Sequence, residues 1–209
     1  MIRDIRKQYL FSTLDEQSVL PNPFDQFEVW LQEAIASEQP EPTSMVLSTV
    51  DEHFQPHSRV VLLKELTAEH FMFFTNYESH KAQQIAWNNQ VSLLFFWPAL
   101  ERQVRVGGIA EKISEVLSTS YFKSRPVESQ LGAWASPQSQ HVRSKDFLEE
   151  QFQYYKEKFG SEIPKPPNWG GYQVAPHAIE FWQGRENRLH DRILFALEAG
   201  EWVISRLAP

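Results

Sequence analysis

The 209-residue chain is predicted to adopt a mainly β, antiparallel fold with added helices, closed or partly open as a barrel. Three observations carry that expectation. Six or more short apolar runs, rich in β-branched and aromatic residues, are set off by turn residues. The links between neighbouring runs are mostly too short for a crossover helix, which makes the pairing antiparallel. Residues 114–160 change character and read as a run of helices, which makes them an addition to the strands.

Residues 1–20 are polar and weakly patterned and are expected to form a mobile N-terminal arm; residues 21–209 read as a single domain without an internal boundary. In PNPFDQFEVWLQEAIASEQ, Asn22 can cap a helix and Pro23 suits its first turn, while Phe24, Phe27, Trp30, Leu31 and Ala34 share one face. Strands follow in TSMVLSTV, HSRVVLLK and HFMFFTN, then a short helix in SHKAQQIAW with Ser79 at its cap, then strands in VSLLFFW and ERQVRVGGIAEKI. EVLSTSYFKSRP, ESQLGAWA and SKDFLEEQFQYYKEKF read as helices, and PKPPNWGG as a rigid turn. YQVAPHAIEFWQG, NRLHDRILFAL and EWVISRLAP return to strands, with EAGE as a hairpin turn. As a strand, RLHDR would set Arg188, His190 and Arg192 in one row, and such heads repel unless water or an anion lies between them.

Composition narrows the function. Hydrophobic residues make up 42% of the chain, with 15 Phe and 7 Trp, enough for a packed core. A net charge of -7 argues against a surface that coats nucleic acid, so any anion site must be a local cluster of cations. The absence of cysteine excludes disulfides, thiolate metal sites and a catalytic thiol, and suits a reducing cytoplasm. MIRDIRKQYLFSTLDEQ has no apolar signal core, and no apolar run approaches the roughly 18–20 residues that span a bilayer, so no membrane association is expected.

No GxGxxG, GxxxxGK[ST] or GxSxG occurs. A phosphate would therefore have to be held by side chains and helix N-termini. His53 and His57 straddle Pro56, which disfavours a helical metal pair, and no metal site is expected.

Four stretches remain as candidates, each with an ordinary structural explanation beside the functional one. In SRVVLLK, Arg59 and Lys64 bracket an apolar strand and can simply snorkel to solvent. In SHKAQQI, His80 and Lys81 lie in a first helical turn, where cations oppose the helix dipole unless an anion is seated there. In SYFKSRPVESQLGAW, Tyr121 and Arg125 share a helix face with Ser129 just past Pro126, forming either a phosphate clamp or a solvated helix end. EFWQGRENRLHDR brings Trp182 up to the cationic stretch, as a site or as a solvated barrel rim. Gln103 in ERQVRV and Gln138 in PQSQ add amide side chains.

RVVLLK, FFTN, SHKAQQI, LERQVRV, YFKSRPVESQLGAW, SPQSQ, WGGYQV and IEFWQGRENRLHDR, ending in RLAP, follow one another in a fixed order from about residue 20 to the last residue. Together they closely resemble the pyridoxine/pyridoxamine 5′-phosphate oxidase family. The resemblance implies a split β-barrel homodimer with FMN at the subunit interface. It implies oxidation of pyridoxine or pyridoxamine 5′-phosphate to pyridoxal 5′-phosphate, with hydride passing from C4′ to flavin N5 and oxygen becoming hydrogen peroxide. The flavin would be lined by Arg59, Val60, Val61, Leu62, Leu63 and Lys64, by Phe74, Thr75, His80, Lys81 and Gln103, and by Gln138, Ser139, Trp182 and Arg192. Lys64, Tyr121, Arg125 and Ser129 match the clamp on the substrate phosphate, and Arg188 and His190 the residues over its ring. His190 is then a candidate proton acceptor and Arg188 a positioning cation. Arg6 to Tyr9 falls where the family has a lid that touches substrate.

The chain departs from the family pattern in three places. His80 stands where Arg is usual and is mostly neutral at pH 7, which weakens one phosphate contact or makes it pH-dependent. Phe74 replaces a common Tyr, and RKQY replaces RREY in the arm. Two alternatives stay open: another FMN split-barrel oxidoreductase, and a non-catalytic protein that binds FMN or pyridoxal phosphate.

Overall fold

The apolar runs pair into one nine-stranded sheet whose ladders are all antiparallel, in a computed structural model that describes residues 2–4 and 8–209. The strand order is β2 (Pro56–Leu62), β1 (Ser44–Val50), β5 (Gln90–Trp97), β6 (Arg102–Lys112), β7 (Trp169–Gln183), β4 (Phe71–Asn76) and β3 (Glu65–Leu66). β8 (Asp191–Glu198) joins β7, and β9 (Glu201–Arg206) joins β8. The 15-residue β7 makes this a half-barrel. One of its edges pairs with β6 along Tyr172–Gln183, while the other is shared between β4, along Trp169–Val174, and β8, along Ala178–Gln183.

Five helices cover the sheet and extend it. α1 (Pro23–Ala36) starts where expected, with the Asn22 side chain accepting from the Phe24 N–H at 2.8 Å. Its apolar stripe is buried, and the Phe27 ring meets Phe71 and Phe95 edge-on at 4.9 and 4.8 Å in the main core. α2 (His80–Trp87) packs Ala82 and Ile85 inward. α3 (Glu115–Ser124), α4 (Val127–Ala135) and α5 (Lys145–Phe159) build a second, smaller core from Phe122, Leu131, Ile163 and Trp169. Among the described residues, no helix is long and apolar enough to cross a membrane.

Three local expectations are corrected. RLHDR does not begin a strand. Asn187 and Arg188 take left-handed backbone angles (φ 55° and 63°) in a 3₁₀ turn, and β8 opens only at Asp191, so the pleated row of Arg188, His190 and Arg192 does not form. Trp169, Gly170 and Gly171 are the start of β7 rather than a turn. A Cβ on Gly170 would lie 2.2 Å from the Tyr77 hydroxyl, and one on Gly171 2.6 Å from Ile113 Cδ1, so the two glycines answer close packing against a strand. Ser79 takes the N-cap position, yet its hydroxyl donates back to the Asn76 carbonyl at 2.7 Å instead of capping α2.

Within residues 1–20, the described residues 8–20 touch the body at several points. Glu101 accepts the Leu10 and Phe11 N–H groups at 2.7 and 2.9 Å, Asp191 accepts that of Leu14 at 3.0 Å, and Leu14 and Val19 are buried. Arg206 of β9 adds an ion pair to Glu16 at 2.7 Å and holds that carboxyl down at about 2.

Candidate active site

The edge strand β2 exposes Val60 and Leu62, β4 presents Phe74 and Thr75, and α2, α3 and α4 rise beside them. Between these elements lies a hollow of about 500 Å³. Lys64, Lys81, Tyr121, Arg125, Ser129 and Gln138 all open into it, as do Val60, Val61 and Leu62. Residues distant in the chain thus converge on one hollow. Among the described residues no carboxylate lines this hollow, although the chain carries a net charge of -7. That asymmetry makes the hollow suited to an anion.

The floor is aromatic. Phe74 stacks on Tyr121 at 3.8 Å and on Trp169 at 5.5 Å, and the Arg125 guanidinium stands over the Trp169 ring at 4.8 Å. α3 stops at Ser124 because Pro126 cannot continue it, and the extended Arg125 is thereby turned toward α4 and Ser129. Arg125 Nη1 is buried with no hydrogen-bond partner among the described residues. A buried guanidinium N–H left unpaired is costly, and an anion would satisfy it.

Lys81 is equally strained in its charge. Its ammonium donates to Thr75, Ser79 and Gln138 side-chain oxygens at 3.2–3.3 Å, all neutral groups. Burial, and then the Arg59 charge, pull its pKa down to about 8. Arg59 lies behind the hollow rather than lining it, donating to Leu47 O, Thr49 Oγ1 and Gln84 Oε1. Its own pKa is lowered by burial.

The remaining candidate residues do not open into this hollow. Leu63 is buried in the main core, and the exposed Ser139 takes a left-handed φ of 70° beside Gln138. His80 faces a separate hollow of about 340 Å³ with Asp51, His53, His57 and Trp87. Gln103, Trp182 and Arg192 stand as direct cross-strand neighbours on β6, β7 and β8, on the face away from the main core. Arg6 lies outside the described residues.

Around Trp182 a second cluster forms. The His190 ring lies 4.7 Å from Trp182, and Tyr9 meets both edge-on at 5.6 and 5.7 Å. His190 Nδ1 accepts the Arg185 N–H at 3.1 Å, which places the proton of the neutral ring on Nε2. Burial and then the neighbouring Arg188 charge lower the His190 pKa, with Asp191 opposing them, which favours the neutral ring. Arg192 is paired with the buried carboxylate of Glu180 at 2.8 and 3.1 Å, and Arg105 joins the same carboxylate.

Sequence reasoning passed over Trp169, Asn76 and Ser136 in the hollow, and Glu180 and Glu101 outside it. Glu180 was legible in principle, lying two residues before Trp182 on the strand that pairs with Arg192.

Comparisons with known proteins bear on this geometry. A family model described as pyridoxamine 5′-phosphate oxidase matches residues 31–159, and one described as the pyridoxine 5′-phosphate oxidase C-terminal dimerisation region matches residues 169–209. The chain is 56% identical over 209 residues to a pyridoxine/pyridoxamine 5′-phosphate oxidase of Teredinibacter turnerae, covering 100% of this chain and 99% of the relative. It is 50% identical over the same span to one of Cupriavidus necator, again with 100% and 99% covered. Among solved structures, PhzG from Burkholderia lata, in complex with tetrahydrophenazine-1-carboxylic acid, superposes with a TM-score of 0.90 at 24% identity, covering 95% of this chain and 98% of that one. A pyridoxamine 5′-phosphate oxidase-related, FMN binding protein from Nostoc punctiforme gives a TM-score of 0.72 at 17% identity, covering 90% and 98%. Those two likenesses establish the half-barrel fold.

Proposed function

This chain belongs to the pyridoxine/pyridoxamine 5′-phosphate oxidase family, and from that premise we propose that it oxidises pyridoxine or pyridoxamine 5′-phosphate to pyridoxal 5′-phosphate with FMN as cofactor. The observation that carries this reading is the buried, partnerless Nη1 of Arg125 in a hollow free of carboxylates among the described residues. A guanidinium stacked on Trp169, with Tyr121 and Ser129 hydroxyls and the Lys64 ammonium opening into the same space, suits a phosphate monoester.

The residues present also fit FMN. Lys81 is desolvated among neutral oxygens with Arg59 behind it, an arrangement that a phosphate would complete. Thr75 and Gln138 are already hydrogen-bonded to each other there, and the backbone of Val60 to Leu63 with Phe74 would flank the ring system. When bound, FMN supplies the hydride acceptor at N5 for the substrate's C4′ hydride, and oxygen restores it with release of hydrogen peroxide.

The protein's share is alignment and charge. Lys64, Tyr121, Arg125 and Ser129 would fix the substrate phosphate. In our reading a homodimer completes the site: Arg188 and His190 of one protomer, with Trp182, Gln103 and Arg192, close over the hollow of its partner. The match of residues 169–209 to a dimerisation region supports that assembly. Because Nδ1 is occupied by the Arg185 amide, His190 offers the substrate an Nε2–H donor. To take the alcohol proton, the ring must first surrender that hydrogen bond. We therefore assign it an orienting role in place of the general-base role suggested by the sequence.

The test is direct. Purified protein carrying FMN is mixed with pyridoxine 5′-phosphate in air, and pyridoxal 5′-phosphate and peroxide are followed together. Equimolar formation of the two is expected. A flavin-loaded protein that binds the substrate yet releases no peroxide would contradict the reading and leave a binding protein.

A further inference from the structure

The turn between β5 and β6 ends on a buried carboxylate, Glu101, in a left-handed conformation (φ 55°) that few non-glycine residues adopt. Two sets of contacts tie this residue to its surroundings, one through its side chain and one through its backbone. Its carboxylate oxygen Oε2 accepts both the Leu10 and the Phe11 N–H, at 2.7 and 2.9 Å. Its main-chain carbonyl accepts the Gly184 N–H at 2.8 Å and the Gln183 amide at 3.2 Å. One residue thus holds the N-terminal segment with its side chain and the end of β7 with its backbone.

Tyr9 lies between those two anchor points. It stands against Gly184 so closely that a Cβ on that glycine would come within 2.7–2.9 Å of its Cβ and ring atoms. From there it meets Trp182 and His190 edge-on. Asp191 fastens the segment again three residues farther on, through the Leu14 N–H. None of the described residues of the segment lines the 500 Å³ hollow, so the segment walls the His190 face and does not plug the phosphate site.

We propose that Glu101 is a positioning residue of the active site: by gripping the Leu10 and Phe11 amides it holds Tyr9 against Trp182 and His190, and so sets how tightly that face closes on substrate. The inference rests on the functional reading above, in which His190 faces the substrate ring. Nearly isosteric replacement, Glu101→Gln, keeps an acceptor oxygen but removes the charge that strengthens both hydrogen bonds. Glu101 lies outside the hollow and reaches the flavin-lining Trp182 only through Tyr9, so its loss should act chiefly on substrate closure.

Three readouts on the FMN-loaded enzyme decide the matter: amide hydrogen exchange at Leu10 and Phe11, KM and kcat for pyridoxine 5′-phosphate, and FMN retention. In Glu101→Gln, exchange is expected to quicken about tenfold, KM to rise about tenfold, and kcat and FMN retention to hold within about twofold. Gly184→Ala provides a second route, since it displaces Tyr9 while leaving the carboxylate intact. It is expected to raise KM similarly even if Glu101→Gln fails to fold. Faster exchange with unchanged KM in Glu101→Gln, or unchanged KM in Gly184→Ala, would overturn the positioning role. So would a fall in KM, which would mean that Tyr9 obstructs the substrate. A wild-type enzyme that turns over neither substrate would sink the functional reading and this role with it, while the exchange result would still show whether the grip exists.

Discussion

Lys81 shows how much chemistry one side chain can carry before any ligand arrives. Its pKa stands at about 8 because burial and Arg59 both disfavour its charge, and a bound phosphate would reverse that balance. The sign follows from proton counting. Between the free-form value and the higher value of the phosphate-bound form, binding takes up a proton, so affinity falls as pH rises through that window. FMN affinity measured by flavin fluorescence is expected to hold steady below about pH 8 and weaken above it, and Lys81→Arg should flatten the curve; a pH-independent wild type would contradict this. The same proton counting, with the opposite sign, makes the FMN-free protein gain stability from about pH 8 toward 10.5, because there the unfolded chain binds the additional proton. His190 allows a second test. General-base catalysis contributes roughly 10²–10⁴-fold, whereas an orienting donor can be replaced by an amide. His190→Asn is expected to keep kcat within about tenfold across pH, and a loss of about 10² or more would restore the general base. The residue types in the hollow were reachable from the sequence through the resemblance of its ordered motifs to a family, while each stretch alone allowed an ordinary structural reading. The pairing of Arg192 with Glu180, and of His190 Nδ1 with a backbone amide, was not, since both depend on which strands adjoin.

At the scale of elements, most strands and helices could be read from period and punctuation, and the failures have specific causes. PKPPNWGG carries every mark of a turn, yet its last three residues pair with Asn76, Thr75 and Phe74 of β4. Glycine there serves a close approach rather than a bend. Gly171→Ala would set a Cβ 2.6 Å from Ile113 Cδ1 and 2.9 Å from Phe74 Cε1. Overpacking of that kind costs about 1–3 kcal/mol, so a lower urea midpoint is expected, along with a raised KM as Phe74 shifts under Tyr121. A variant with wild-type stability and KM would show that the strand gives way without moving the aromatic floor. In NRLHDRILFAL the alternation was real from Ile193 onward, but it was extended too far toward the N-terminus. Left-handed Asn187 and Arg188 break the pleat, and a non-glycine residue gives little warning of that.

The molecule as a whole divides its candidate residues into two groups that one protomer does not unite. Lys64, Lys81, Tyr121, Arg125 and Ser129 line the hollow, while Trp182, Arg188, His190 and Arg192 belong to the segment that matches a dimerisation region. Such a division is invisible to spacing and motif, because no single-chain pattern records which copy a residue serves. A two-fold dimer would place each group opposite its complement twice. Subunit mixing tests this claim most directly. Arg125→Ala and Arg188→Leu chains, each inactive alone, are unfolded together, refolded with FMN and assayed for peroxide. If the site is shared between copies, random pairing gives about half hybrid dimers, each with one intact site, and about a quarter of wild-type activity returns. If each protomer builds its site alone, every site keeps one lesion and the mixture stays inactive.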